Sequence, residues 1–395
     1  MSLQKENDEY WLYNMDEEKI PLQVLKNIPI DDIFTQETHT SIDSSTGPLW
    51  RATYITNDDH KNESNNFKSN LMFTFDHVVA DATTAFSICN SFLKVLDDVM
   101  GDNVQKSYDF GQLSDGQETE EITEQRIEYL KKNPDYFNEI KAFLTKFDSQ
   151  KIWLMDLFPA PKVSEKKTKY IFGEIDEETT GKLLKVFKSK GISFHSGFSS
   201  ALNWVLMDML IENGLPYEEI ELPTEHAINM RRYWKNHSSI QLGSHVGLMK
   251  ILSKTDKNIG ANFWDYAKEF NKTLKSAIEN MQVIDFNVQQ VFSDFGGPQV
   301  DSSKLSESYL NKSYYCSTNL GDLSSILQGR GNHVRIKSFK RGASGHCANY
   351  PFIPYFQTYE GRLIYSIAYS IHLVTDDLIN LLVDKMVNKL NIISN

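Results

Sequence analysis

At 395 residues, 40% hydrophobic and 24% charged, the chain has core material for more than the roughly 250–300 residues that one hydrophobic core usually serves, so two domains are expected. A formal charge of -12 argues against the clustered Lys and Arg footprint of a nucleic-acid or anionic-membrane binder, and no stretch approaches the roughly 18 apolar residues of a membrane span. The polar start (Met1 to Tyr10) carries no secretory signal, and three scattered cysteines (Cys89, Cys316, Cys347) give neither a disulfide framework nor a metal clip, which points to a reducing, cytoplasmic setting.

In chain order, "LWRATYIT" (49–56) and "LMFTF" (71–75) read as strands from their β-branched and aromatic content, joined by a polar hairpin-type loop. A helix follows, with Ala85, Phe86, Ile88, Cys89, Phe92, Leu93 and Leu96 at helical spacing and Asp81, Thr83 and Thr84 around its start. From Gly101 to about Lys166 the composition turns acidic and polar around one or two helices, the best candidate for a crossing between domains. Next come a strand in "KYIFGEI", a helix ending at Gly191, and an apolar helix stopped by Gly214. "TEHAINMRRYW" reads as extended and "NFWDYAKEFNKTLKSAIEN" as an amphipathic helix. In the last third "YYCSTNLGDL", "HVRIKSFKRGA" and "RLIYSIAYSIHL" read as strands before a closing helix. Helices and strands in mixed order imply an α/β, or α+β, layered fold.

The sequence His-x-x-x-Asp occurs three times: His39 to Asp43, His77 to Asp81 and His372 to Asp376. Histidine is the side chain best suited to take a proton from an alcohol, amine or thiol near neutral pH once its ring is oriented. His39 lies in a Ser/Thr-rich segment with no strand behind it and reads as loop. His372 follows a strand, but bulky Leu373 and Val374 beside it suggest packing. His77 stands between a strand and a helix, with small Ala80 and Ala82 flanking its aspartate. Two readings stay open for it: a general base, or a surface histidine ahead of an N-capping aspartate. The segments around His77 and His372 share a strand, His, three residues, Asp and helix, an echo of two related halves. "GASGH" (342–346) is not a hydrolase elbow, "GRGN" (329–332) reads as a turn, and neither zinc-ligand clusters nor a phosphate-binding lysine loop is present in the sequence.

Seven segments in register resemble the CoA-dependent acyltransferases of the chloramphenicol acetyltransferase-like fold, in the alcohol acetyltransferase and condensation-domain branches. They are "GPLWRATYI" (Gly47 to Ile55), "FDHVVADA" (Phe75 to Ala82), "KGISFHSGFSSALNWVL", "INMRR" (Ile228 to Arg232), "LGSHVG" (Leu242 to Gly247), "STNLG" (Ser317 to Gly321) and "FQTYEGRLIYSIAY" (Phe356 to Tyr369). The resemblance implies two similar domains with a tunnel between them, 1–168 carrying the motif and 169–395 completing the pair. It makes His77 the general base and Asp81 a structural partner, ion-paired to Arg231 or Arg232, because an unpaired buried carboxylate is costly. It places Thr318 and Asn319 where the tetrahedral oxyanion forms.

The co-substrate implied is acyl-CoA, with no permanently bound cofactor or metal, and the acceptor a small alcohol or, second, an amine; a carrier-protein phosphopantetheine is an alternative donor. Asp76 replaces the family's first histidine and Ala82 its glycine; "SDFGG" (293–297) looks like a plant-enzyme signature but precedes "STNLG" and lacks the tryptophan, and it reads as coincidence. The segment before "PLWR" is shorter than the family's, so the first domain is expected to be abbreviated at its start. A non-catalytic binding protein of the same fold is the competing class. A serine hydrolase is the third.

Overall fold

The computed structural model describes residues 1–6, 9–15, 19–56, 67–158, 163, 165–235, 241–291, 313–329, 331–345 and 350–395. The chain packs as two units: Met1–Ser114 with Ser238–Ser244 and Ile326–Ile336 form the first, and Asp115–His237, His245–Ser325 and Lys337–Asn395 the second. The opening stretch of the first unit thus ends at Ser114, and two later segments belong to the same unit. The reason is apolar burial. Helices α3 (Gln117–Lys132) and α4 (Pro134–Asp148) bury Leu130, Phe137, Ile140 and Leu144 with Met249, Ile251, Phe270 and Phe286 of the second unit. Arg126 of α3 adds a two-pronged bond to Asp285, 2.8 and 2.7 Å, and that carboxylate is fully buried.

In the first unit, β1 (Ser2–Glu6) and β2 (Glu9–Tyr13) form an antiparallel pair, and β3 (Leu22–Lys26) runs parallel to β4 (Trp50–Thr56). Strand β5 (Ser69–Phe75) pairs antiparallel with β4, Trp50 opposite Phe75, as the two sequence runs anticipate; the joining loop lies outside the described residues. Helix α1 (Ile30–His39) buries Ile33 and Phe34. His39 is thus the last residue of a helix, its Nδ1 2.6 Å from the Thr35 carbonyl, and not part of a loop. Tertiary burial of Ile33 and Phe34 outweighs the Ser/Thr content that follows them. Helix α2 (Ala82–Met100) starts after Asp81 and stops at Gly101, and its Phe92 meets Phe73 of β5 edge-on at 5.4 Å.

Near the end of α2, Asp97 gathers the late segment. Its carboxylate accepts the amides of His333 (2.6 Å), Val334 (2.8 Å) and Asn332 (3.0 Å). A side chain at Gly331 would stand 2.1 Å from the Asp97 carboxyl carbon, so only glycine allows the approach. Arg330 of "GRGN" lies outside the described residues; beyond it the Gly331 amide donates to the Val334 carbonyl. Strand β6 (Gln112–Leu113) pairs parallel with β9 (Gln241–Leu242), which ties residues 241–244 into the same unit.

The second unit is built on a six-stranded mixed sheet ordered β10-β8-β11-β12-β13-β7. Its strands are β7 (Thr168–Ile175), β8 (Glu219–Asn229), β10 (Val246–Asp256), β11 (Cys316–Asp322), β12 (Phe352–Tyr359) and β13 (Arg362–Ser370). Helices α6 (Glu177–Ser189), α7 (Phe194–Glu212), α8 (Phe263–Glu279) and α10 (Asp376–Ser394) join the sheet in the main core, around Phe198, Leu206, Phe356, Ile367 and Leu382. Smaller α5 (Trp153–Leu157) and α9 (Gln282–Val291) complete it. Helix α7 is apolar all round because it is buried all round.

"HVRIKSFKRGA" forms no strand. Its later residues bond to side chains of the sheet instead of to a ladder: Ser366 donates to the Arg341 carbonyl (2.7 Å) and Tyr170 to that of Ala343 (3.0 Å), and just beyond the segment the Gly345 amide donates to Thr168 (2.9 Å). With its backbone groups satisfied this way, the segment crosses the strands without pairing.

Asp97 yields the first test. The amide of His333 above all, with those of Val334 and Asn332, holds its carboxyl below the ordinary range. A depressed carboxylate contributes fully above its ordinary value near 4, and the contribution is lost as pH falls through the lower folded value. Asp97→Ala is expected to speed amide exchange at Asn332, His333 and Val334 about tenfold at neutral pH. The same amides in the unaltered protein are expected to lose protection below pH ~4. Hydrogen-exchange mass spectrometry of the 326–336 segment checks both.

Candidate active site

The loop between β5 and α2 is shaped by Asp76. Its amide donates to the Leu49 carbonyl (2.9 Å), its carbonyl accepts from Val79 (3.1 Å), and its carboxylate accepts from Val78 N (3.1 Å) and the Ser44 hydroxyl (2.6 Å). Here the aspartate at the position of the family's first histidine holds the turn. Val79 and Ala80 are buried on Leu49, with Ile42 and Phe75 packed against them. That apolar plug leaves His77 exposed at the tip.

Asp81 ends the loop. It is 7% exposed, adopts the extended N-cap conformation, and accepts the Thr84 amide at 2.9 Å. Its own amide donates to the Gly243 carbonyl at 3.2 Å. Thr84, 2% exposed, gives its hydroxyl proton to the same carbonyl (2.7 Å) and accepts the Gly243 amide (3.0 Å). Both polar groups of one peptide residue are thus taken by one side chain. Gly243 has φ 133°, a conformation that side-chain-bearing residues rarely adopt. The next residue is Ser244, whose hydroxyl lies 3.2 Å from His77 Nδ1. With Nδ1 engaged by Ser244, Nε2 is the ring nitrogen left to take a proton from an incoming group.

Ser244, Gly243 and the clamping role of Thr84 are the features that sequence reasoning missed. The motif "LGSHVG" marks the segment, yet no local spacing connects Ser244 with a histidine 167 positions earlier.

His372 keeps the spacing but not the arrangement. Thr375, not Asp376, caps α10, and Asp376 accepts from Lys169 (2.6 Å) and Tyr369 (3.0 Å).

Arg231, Arg232, Thr318 and Asn319 belong to the second unit. Arg231 and Arg232 lie in a short turn after β8; the Arg231 amide donates to Asn229 (3.0 Å), and its guanidinium sits over Trp234 at 5.8 Å. Thr318 and Asn319 are neighbours on β11. The Asn319 side-chain oxygen accepts the Gly321 amide at 2.8 Å, leaving its NH2 group as the donor.

Beneath β11 lies a polar core that the sequence did not announce. His226 is fully buried, 2.7 Å from the Ser317 hydroxyl, 3.0 Å from Thr224 and 3.0 Å from His195. Burial lowers His195 to about 4 and His226 further, the neighbouring His195 adding to the effect. Both rings are neutral at neutral pH, and His226, itself in contact with His195, holds Ser317 and hence the start of β11 by a hydrogen bond. Among the described residues no group of three or more His, Cys, Asp or Glu could hold a metal ion, and no helix is long and apolar enough to cross a membrane.

With this geometry in hand, comparison with known proteins decides the family. A profile of the alcohol acetyltransferases matches residues 30–319. The chain belongs to the alcohol acetyltransferase family. No curated protein matches. Among solved structures it is similar to the epimerization domain from the third module of tyrocidine synthetase B (TM-score 0.68, 12% identity, 100% of this chain and 84% of that one). It is likewise similar to the TRI3 trichothecene 15-O-acetyltransferase from Fusarium sporotrichioides (TM-score 0.66, 10% identity, 94% and 77%). A third is the condensation domain of the monacolin K polyketide synthase MokA (TM-score 0.61, 9% identity, 94% and 79%). At such identities these show the fold, which is chloramphenicol acetyltransferase-like, with helices and strands mixed as the sequence implies. Family membership supports an acyltransferase.

The clamp is testable by itself. Thr84→Val leaves the Gly243 amide without its Thr84 partner and its carbonyl with the Asp81 amide alone, and is expected to cost about 1–3 kcal/mol, whereas Thr84→Ser keeps the hydroxyl and most of the stability. Denaturant unfolding of the two variants beside the unaltered protein measures it.

Proposed function

We propose that this alcohol acetyltransferase family member moves an acyl group, acetyl in the first instance, from acyl-CoA to the hydroxyl of a small alcohol, with His77 as general base. The observation that carries the reading is the 3.2 Å contact of His77 Nδ1 with Ser244, on a loop clamped at Gly243. In this reading Nδ1–H donates to the serine oxygen and Nε2 carries the lone pair. The acceptor hydroxyl gives its proton to Nε2 while its oxygen attacks the thioester carbonyl carbon. The tetrahedral oxyanion that forms takes hydrogen bonds from Thr318 and the Asn319 NH2 group, and its collapse expels the CoA thiolate, which recovers the proton from His77. Ester and free CoA leave without a covalent acyl-enzyme. Asp81 caps α2 and keeps the loop in place; its pairing with Arg231 or Arg232 is part of the proposal. The similar trichothecene 15-O-acetyltransferase acylates an oxygen, which favours an alcohol over an amine. The condensation-domain likeness keeps a carrier-bound donor as the second reading.

The test is release of free thiol from acetyl-CoA with a panel of alcohols and amines. His77→Ala is expected to lower turnover by about 10²- to 10⁴-fold. His372→Ala is expected to leave it unchanged. Equal turnover in the unaltered protein and His77→Ala, with ester formed in both, would remove His77 from the chemistry.

A further inference from the structure

Arg341 is a half-buried cation in the second unit. Among the described residues no carboxylate ion-pairs with it, and all its hydrogen bonds go to neutral acceptors. Nη2 donates to the Thr318 carbonyl (3.0 Å) and the Phe356 carbonyl (3.5 Å), Nη1 to the Thr318 hydroxyl oxygen (3.3 Å), and Nε to the Gln357 side-chain oxygen (2.5 Å). The guanidinium stands over the Tyr355 ring at 5.1 Å. Burial pulls its pKa down to about 10, still far above neutral, so the charge is present at working pH. Holding such a cation away from water is costly unless something nearby uses it.

Its surroundings say what it acts on. Thr318 pairs with Tyr355 across the parallel β11–β12 junction, and Tyr355 in turn with Ser366 on β13, so these side chains share one face of the sheet. The opposite face presents Phe356, stacked 4.0 Å from Phe198 of α7, to the main core. Directly after Thr318 the ladder loses register between Asn319 and Asp322. Arg341 therefore grips Thr318 by both its carbonyl and its hydroxyl, just before pairing becomes irregular. A hydroxyl that accepts from a guanidinium has its own proton free to donate elsewhere, and the adjacent charge strengthens that donation.

We propose that Arg341 is a positioning residue for the transfer reaction: it fixes Thr318 and, through the Thr318 hydroxyl, lends its positive charge to the oxyanion of the tetrahedral intermediate. The inference rests on the reading of Thr318 given above and adds the residue behind it. Arg341 touches neither reactant. No proton moves to or from it.

The experiment is steady-state thiol release from acetyl-CoA by the full chain carrying Thr318→Val, Arg341→Met, Arg341→Lys, or Thr318→Val combined with either arginine change, with folding followed by circular dichroism. Thr318→Val is expected to lower kcat about 10²-fold, the loss of one oxyanion donor. Arg341→Met is expected to lower kcat about tenfold with the KM for acetyl-CoA within about twofold, and Arg341→Lys to recover most of that loss. In the Thr318→Val background, Arg341→Met is expected to add nothing. Equal losses in both backgrounds, or no loss in either, would overturn the proposal. Should Arg341→Met fail to fold, Arg341→Lys decides: a partial loss with Thr318 present and none in the Thr318→Val background supports the relay, and any other pattern rejects it. Turnover that His77→Ala abolishes but Arg341 variants leave intact sinks the Arg341 inference alone. Turnover indifferent to His77→Ala sinks the base and leaves Arg341 to its own cycle. Absence of thiol release by the unaltered chain with every acceptor rejects both.

Discussion

One side chain holds the region around His77 together. The Thr84 hydroxyl takes both the amide and the carbonyl of Gly243, a residue in a backbone conformation that glycine alone adopts readily. That double bond docks residues 241–244 onto the start of α2, and the Asp81 amide adds a third bond to the same carbonyl. The following serine then falls beside His77. Loosening the clamp would leave β5 paired with β4 and still release the histidine ring from Ser244.

Charge is placed sparingly where the family resemblance points. Beneath β11 the His195–His226 pair stays neutral because burial disfavours protonation of both rings, His195 adding to the effect on His226. On the other face Arg341 keeps its charge, because guanidinium is basic enough to remain protonated even when burial depresses it. The sheet thus offers Ser317 a neutral partner and Thr318 a charged one. Alternating side chains of one strand make that separation automatic.

Much of the fold is legible along the chain. The hairpin of β4 and β5, the start of α2 at Asp81, the stops at Gly101 and Gly214 and the closing helix all follow from periodicity and capping chemistry, which are local. Two readings fail for non-local reasons. His39 ends a helix because Ile33 and Phe34 find burial. "HVRIKSFKRGA" has strand composition, but side chains of β7 and β13 take carbonyls of its later residues. The acidic surface of α3 and α4 likewise hides apolar faces that pack into the second unit. Within the candidate site, His77 and Asp81 stand out by motif, whereas Ser244 and Arg341 do not. Their partners lie 167 and 23 positions away, and only folding brings them near.

The chemistry proposed for His77 turns on its ring being held with the proton on Nδ1. Ring-nitrogen NMR of the full chain with labelled histidine, read beside Ser244→Ala, measures that directly. The expected result is a single tautomer of the neutral ring, Nδ1–H with a bare Nε2, and a shift toward a mixture when the serine hydroxyl is removed. A proton on Nε2, or a spectrum that Ser244→Ala leaves unchanged, would contradict it.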